Sequence, residues 1–559
     1  MPKLIVTRRA SRAFKAALIS SAACAVAFSA LADVGAPSPP LRMKSDYFGY
    51  AAAMSPRVGY SDNINLLPDS LKDDSFSISN LFSGAAIYSS KRFTGLLSGD
   101  LDVSYISNGQ DFVVNQRVGA ASTFTVFENA FYIDMAGSSS RQLLGENARF
   151  SQNLNAARSQ RADVHTVSAS PYLFHEFADQ SSAQLRFRYS KVFIDDDNAG
   201  ANPFSGNFLN DSQTEEVLGA YDSGHAFDRF RFTGTIFGNK TIEDGSVVFP
   251  RIESRQRYVS SEMQYALTSN FGLSGAVGYD DIETDITPSF FDDDELSGVF
   301  WRAGFYAQPG PRTRLRAEYG RRFDDDFVDA SLSYKLSSRY TFSAGASQAF
   351  ETRSQSFGSQ FFERQRTTLE FADRLREGAE MSPNAVIAAA NRYSDIGIFA
   401  QTTGIGVSKS AYANLNGAYD RMEISAKANY QDTDYGFRQI EAFTGLLNAR
   451  RQLSRRVTAY GGMFYRWSDT TIDQATCQIS PFIFGFDVNA PMFDPVAACL
   501  SFALQNGETN TVGGRIGAAY RIYENVSAFA EYAYTTRFAD SPTLEYSENA
   551  VVGGFTLEF

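Results

Sequence analysis

Three cysteines, three histidines and two tryptophans in 559 residues leave little material for several kinds of function. His165, His175 and His225 show no metal-ligand spacing, so each reads as a wall or turn residue before a catalytic one. No Gly-x-Ser-x-Gly elbow and no phosphate-cradling Gly-Lys loop occurs. The stretch "DDDNAG" at Asp195 begins like a calcium loop, but Ala199 stands at a ligand position and Gly206 where the bidentate Glu belongs. These gaps argue against an enzyme, and no cofactor or metal is expected. Positive charge is also short, with 51 Lys and Arg against 63 Asp and Glu, so nucleic acid is not an expected partner. Beyond the N-terminus, no apolar run approaches the ~20 residues of a membrane-spanning helix.

The N-terminus itself reads as a secretory signal peptide, residues 1–32. Lys3, Arg8, Arg9, Arg12 and Lys15 make a basic leader, an apolar run follows from Ala16 to Phe28, and Ala30-Leu31-Ala32 offers a small-x-small cleavage site. Its removal would take the net charge from −12 to −17. The exported remainder keeps Cys477 and Cys499, an even pair that in an oxidising compartment predicts a disulfide in an external loop. Phe and Tyr are abundant, at 48 and 28, which points an exported chain with no second apolar helix toward β-structure.

A period of two runs through that remainder. In "SSAQLRFRYS", Ala183, Leu185, Phe187 and Tyr189 face one way and Gln184, Arg186, Arg188 and Ser190 the other. "TRLRAEYG" and "TVGGRIGAAYRIY" repeat it, as does the first strand from Phe48 to Tyr60. Apolar-out, polar-in strands of roughly ten residues are the mark of a transmembrane barrel. Short turns are expected near 90–91, 128–129, 179–180, 227–228, 269–270, 309–310, 337–338, 421–422, 454–455 and 524–525. Longer polar segments, 61–74, 142–162, 195–212, 281–295 and 470–507, alternate with them as external loops, and the triplets Asp292–Asp294 and Asp324–Asp326 read as solvated loop. The pattern predicts an all-β, antiparallel up-and-down barrel over residues 47–559 with about 22 strands, preceded by a short periplasmic segment, 33–46.

Between Thr352 and Ser408 the rhythm fails. "QRTTLEFADRLREGAEMSPNAVIAAANRYSD" reads as partly helical, with Ser382-Pro383 as a helix start, so residues 355–405 form a long loop expected to fold into the lumen.

The ending "VVGGFTLEF" resembles the C-terminal signal recognised by the outer-membrane barrel assembly machinery: Gly554, Leu557 and Phe559 match, and Val552 departs from the polar residue of that signal. The stretch "RVGYSDNINLLPD", residues 57–69, resembles the Gly-Tyr-x-Asp-Asn entry of the outer-membrane β-barrel porin family and is similar to barrels associated with bacterial surface-polysaccharide systems. The resemblance implies an outer-membrane location far more than a substrate. The expected partners are outer-membrane lipid, the barrel assembly machinery and surface-polysaccharide export components. With no enzyme chemistry found, the expected function is a porin or export channel for small solutes or anionic polysaccharide. A surface structural or adhesive barrel without an open pore, and a barrel-borne enzyme, are the alternatives.

If the apolar residues meet lipid, then Arg186, Arg188, Arg229, Arg231, Arg302, Arg314, Arg316, Arg515 and Arg521 face inward, mostly toward the periplasmic half. Two readings stay open. The arginines form a free, anion-selective belt below an acidic mouth, or they pair across strands with Glu262, Glu318 and Glu531 and stiffen the wall.

Overall fold

The computed structural model describes residues 42–45, 48–108, 111–143, 149–151, 153, 156, 161–195, 211–224, 226–244, 251–285, 296–352, 405–434, 438–472 and 507–559. Residues 1–41, the body of the 355–405 loop, and Cys477 and Cys499 lie outside the described residues.

A short strand, β1 (Arg42–Ser45), leads into β2 (Phe48–Ser61), β3 (Ser75–Ser89), β4 (Phe93–Ile106), β5 (Asp111–Phe127), β6 (Phe131–Leu143), β7 (Arg161–Glu176) and β8 (Ser182–Asp195). The wall continues through β9 (Ser212–Asp222), β10 (Phe230–Glu243), β11 (Ile252–Ala266), β12 (Phe271–Thr284), β13 (Gly298–Gly310), β14 (Thr313–Arg322), β15 (Asp325–Lys335) and β16 (Tyr340–Thr352). It ends with β17 (Ile405–Tyr419), β18 (Met422–Asp434), β19 (Arg438–Gln452), β20 (Val457–Ile472), β21 (Thr509–Tyr523), β22 (Val526–Ala539) and β23 (Tyr546–Glu558). From β2 onward each strand pairs antiparallel with the next, and β23 returns to β2 with Ser61 opposite Ala550 and Ala53 opposite Glu558. The result is a closed barrel of 22 strands, as the turn spacing predicts. β1 pairs with the periplasmic tip of β2, Arg42 opposite Tyr50, where β23 has already ended, and so covers what would be an open edge.

Alternation sorts the side chains. On β12, Leu273, Val277 and Tyr279 are exposed on the outer wall while Ser274, Ala276, Asp280 and Ile282 are buried inside. Exposed aromatics ring both ends of the apolar band: Tyr60, Tyr279, Trp301, Tyr319, Tyr430 and Tyr465 outside, and Tyr88, Phe127, Phe271, Tyr334, Tyr419 and Tyr520 at the periplasmic rim. This is the architecture of an outer-membrane barrel, in which the backbone groups of the apolar band find their partners in the sheet.

The short turns fall where expected, with two displacements, of which the smaller moves the turn expected at 421–422 to 420–421, since Met422 already pairs with Tyr419. The turn expected at 309–310 is at 311–312, because β13 runs on through Pro309 and Gly310 pairs with Thr313 across a register shift. The triplet Asp324–Asp326 is not a loop. Phe323 and Asp324 both have positive φ, 57° and 53°, and form the two-residue turn that joins β14 to β15, so Asp325 and Asp326 are strand residues.

Candidate functional site: an ion-paired lumen narrowed by two loops

The inward arginines are mostly not free. Arg186 reaches Asp134 at 3.1 Å and lies 4.0 Å over the Tyr172 ring, and Arg188 pairs with Glu216. Arg231 donates through Nε to Asp222 at 2.9 Å. Arg302 sits among three carboxylates, Glu262 at 2.7 Å, Glu318 at 3.0 Å and Asp329 at 2.6 Å, and Arg316 shares Glu262 and Glu318 at 2.9 Å each. Arg515 has Glu531 at 3.9 Å. Arg117 with Asp100 and Arg322 with Asp280 extend the same belt. Asp100, Asp134, Glu216, Asp222, Asp280 and Asp329 face inward beside these arginines and offset their charge. Sequence reasoning missed these acids because each meets an arginine on another strand; Asp134 and Arg186 are 52 residues apart. Their parity was nonetheless visible, since Asp134 shares a phase with Ala136 and opposes Met135. Arg229 lies in the turn before β10, and Arg229, Arg314 and Arg521 are exposed with no ion pair among the described residues.

Two external loops enter the lumen. The first follows β2 and begins with Asp62-Asn63, the end of the Gly-Tyr-x-Asp-Asn stretch. Asp62 accepts from the Asn549 backbone N–H at 2.7 Å and its side-chain amide at 2.8 Å, and Asn63 donates to the Ser547 and Leu67 carbonyls at 2.9 and 2.7 Å. The stretch thus locks the first strand to the last at the external rim. Past it, Ile64 packs on Ile106 and Val113, and Leu66, at φ 51°, is fully buried.

The second loop lies between β6 and β7. Four strands separate β6 from β23 on the wall, yet this loop is tied to β23 from within. The Tyr546 hydroxyl donates to the Phe150 carbonyl at 2.6 Å and accepts from the Phe150 N–H at 2.9 Å. Glu548 accepts from Ser151, from Asn153 at 3.0 Å and from Ser61 at 2.6 Å. Arg149 donates to the Thr543 carbonyl at 3.0 Å, and burial lowers its affinity for the proton. Leu66, Phe150 and Ala156 then close an apolar cluster with Leu446, Phe464 and Tyr546 of the far wall. Phe464 can lie flat because its cross-strand partner is Gly513, where a Cβ would come within 2.3 Å of the ring. Nothing in the sequence of this loop marks it as inward, since its few apolar residues have no period.

With the loops against β19–β23 and β2–β7, solvent-open inward positions are concentrated on the other side: Arg314 on β14, Ser331, Ser333 and Lys335 on β15, and Asn416 on β17. Glu423 is exposed there too and stands opposite Arg450 in the β18–β19 ladder. The outward face of Phe559 and its N–H bond to Ala52 at 2.9 Å place the terminal residue on the closing pair of strands.

No protein-family model and no curated protein matches the chain. Solved structures that it is similar to include the siderophore receptor PirA from Pseudomonas aeruginosa, at 10% identity and TM-score 0.41, covering 93% of this chain and 81% of that one. The ferric-catecholate import receptor Fiu from E. coli K12 gives 10% identity and TM-score 0.44 over 94% and 82% of the two chains. The iron transporter FrpB from Neisseria meningitidis gives 10% and 0.37 over 91% and 81%. At these values the likeness assigns neither family nor substrate, and the architecture rests on the strand pairing itself.

Proposed function

We propose that this barrel is a passive outer-membrane channel, acting as a porin for small hydrophilic solutes and preferring anions. The observation that carries the reading is the contrast between two sets of inward cations. Most are neutralised in ion pairs, whereas Arg314 and Lys335 stand open on the side that the loops leave free, joined only by Arg229 in the turn before β10 and Arg521 near the end of β21 among the nine arginines. A guanidinium and an ammonium in a confined aqueous bore favour anion entry. The two inward loops set the scale, since they narrow a 22-strand cylinder that would otherwise pass large solutes. An anionic polysaccharide leaving through the same bore would meet the same cations. The chain would reach its membrane through the cleaved leader, residues 1–32, and the assembly machinery that reads Gly554, Leu557 and Phe559. Purified protein in planar lipid bilayers under a salt gradient tests the function. Stable conductance with an anion-directed reversal potential is expected; a barrel that carries no current is a structural protein, and cation preference removes the anion reading.

A further inference from the structure

The ladder between β15 and β16 stops early. Ala330 pairs with Ala346, and beyond that point neither strand pairs with the other, although β14 holds β15 up to Asp325 and β17 holds β16 up to Thr352. Parity assigns the faces. Val328 is half exposed on the outer wall, so Ala330 and its partner Ala346 share that side. The β16–β17 register has no shift, which puts Gln348 and Phe350 on the outer side as well. Yet Phe350 is only 4% exposed and packs on Ile282 and Leu296, with Ile252, Phe323 and Val407 around it. Ile282 is an inward residue, in phase with Asp280, which holds Arg322 in the lumen. Lys409, opposite Gln348 on the same outer side, likewise reaches Asp325, in phase with inward Asp329. The outer face of one hairpin end thus lies against the inner face of the wall beside it.

Two further features mark this seat as one of two positions. Gln348 is 6% exposed with neither amide atom hydrogen-bonded among the described residues, a cost the seated position carries and an outward one would relieve. The split also begins at the level of the outer aromatic ring, beside Tyr319 and Tyr430, above which water can satisfy freed N–H and C=O groups. We propose that the external end of the β16–β17 hairpin, residues 347–350 with 406–409, is a flap. It moves between this seat inside the lumen mouth and a position zipped to β15, narrowing the mouth in the first and completing the wall in the second.

Continuing the register from Ala330 and Ala346 places Phe327 opposite Ala349 in the zipped position, close enough for a disulfide. The test uses full-length protein in outer membranes, with Cys477 and Cys499 replaced by serine. Oxidative cross-linking of Phe327→Cys with Ala349→Cys is read by thiol mass-tagging, beside a control pair on the intact ladder, Ser331→Cys with Gly345→Cys. Partial cross-linking is expected. It should rise several-fold with Phe350→Ala, which empties the seat, and fall several-fold with Gln348→Leu, which removes the buried amide. The control should not change. Background yield in both the parent and the Phe350→Ala chain means a fixed strand end, and control-level yield in all three means a wall that never opens; either overturns the flap. The readout does not depend on conduction, so it stands apart from the channel reading.

Discussion

Phe150 meets Phe464 edge-on, with ring centres 4.9 Å apart and planes at 87°, joining a loop after the fifth barrel strand to the middle of the nineteenth. That contact and the Tyr546 and Glu548 hydrogen bonds hold the loop across the bore. Tyr546→Phe combined with Glu548→Gln should remove roughly 1 kcal/mol per lost bond and free the loop while leaving the wall intact. Single-channel recording should then show larger and noisier conductance. Unchanged conductance in a folded double variant would mean that the loop does not set the bore.

The two classes of inward arginine should separate cleanly. Arg314→Ala with Lys335→Ala should shift the reversal potential toward zero with little loss of stability, because both are exposed and without an ion pair among the described residues. Arg302→Ala should do the reverse. It leaves Asp329 without its cation and Glu262 and Glu318 with Arg316 alone, and breaking a buried pair of this kind costs about 3–5 kcal/mol. The temperature at which the heat-modifiable band unfolds on gels would measure that loss.

The loop after β2 carries a weak acid-sensitive tie. The Ser547 hydroxyl, at 2.9 Å, and then Lys72 hold the Asp69 carboxyl below its ordinary value of 3.8. A depressed folded value means that the tie is complete at neutral pH and is lost only as pH falls through that folded value. Asp69 is largely exposed, so the effect is small. Hydrogen exchange over residues 62–74 should therefore be flat from pH 8 to 5 and speed up, beyond the intrinsic pH trend, only in stronger acid.

A Cys477–Cys499 disulfide is expected between β20 and β21. Closing that loop would add roughly 3 kcal/mol through the unfolded state. Peptide mass spectrometry of protein from oxidising growth should find the linked pair; free thiols at both positions would remove it.

Deleting Phe559 should lower the amount of barrel in the outer membrane and leave unfolded chain behind. The residue closes the last backbone bond to Ala52 and presents its ring outward at the periplasmic rim. Normal levels of a heat-modifiable band after the deletion would count against the assembly-signal role.

The wall was legible in the sequence because lipid imposes a strict rule on each strand by itself. Every second residue must be apolar, and every turn must interrupt that beat, so Leu185-Arg186-Phe187-Arg188 declares both faces without reference to any neighbour. Counting the interruptions then yields 22 strands. What fills the cylinder obeys no such rule. Which acid meets Arg302 depends on the register and stagger of β11, β13, β14 and β15, none of which a single strand encodes. Whether Phe150 turns in or out depends on a hydroxyl and a carboxylate 396 and 398 residues further on, at Tyr546 and Glu548. The position of Phe350 depends on where two neighbouring strands cease to pair. Local alternation fixes the membrane surface; only closure of the barrel decides which charges are spent on each other and which remain open to a solute.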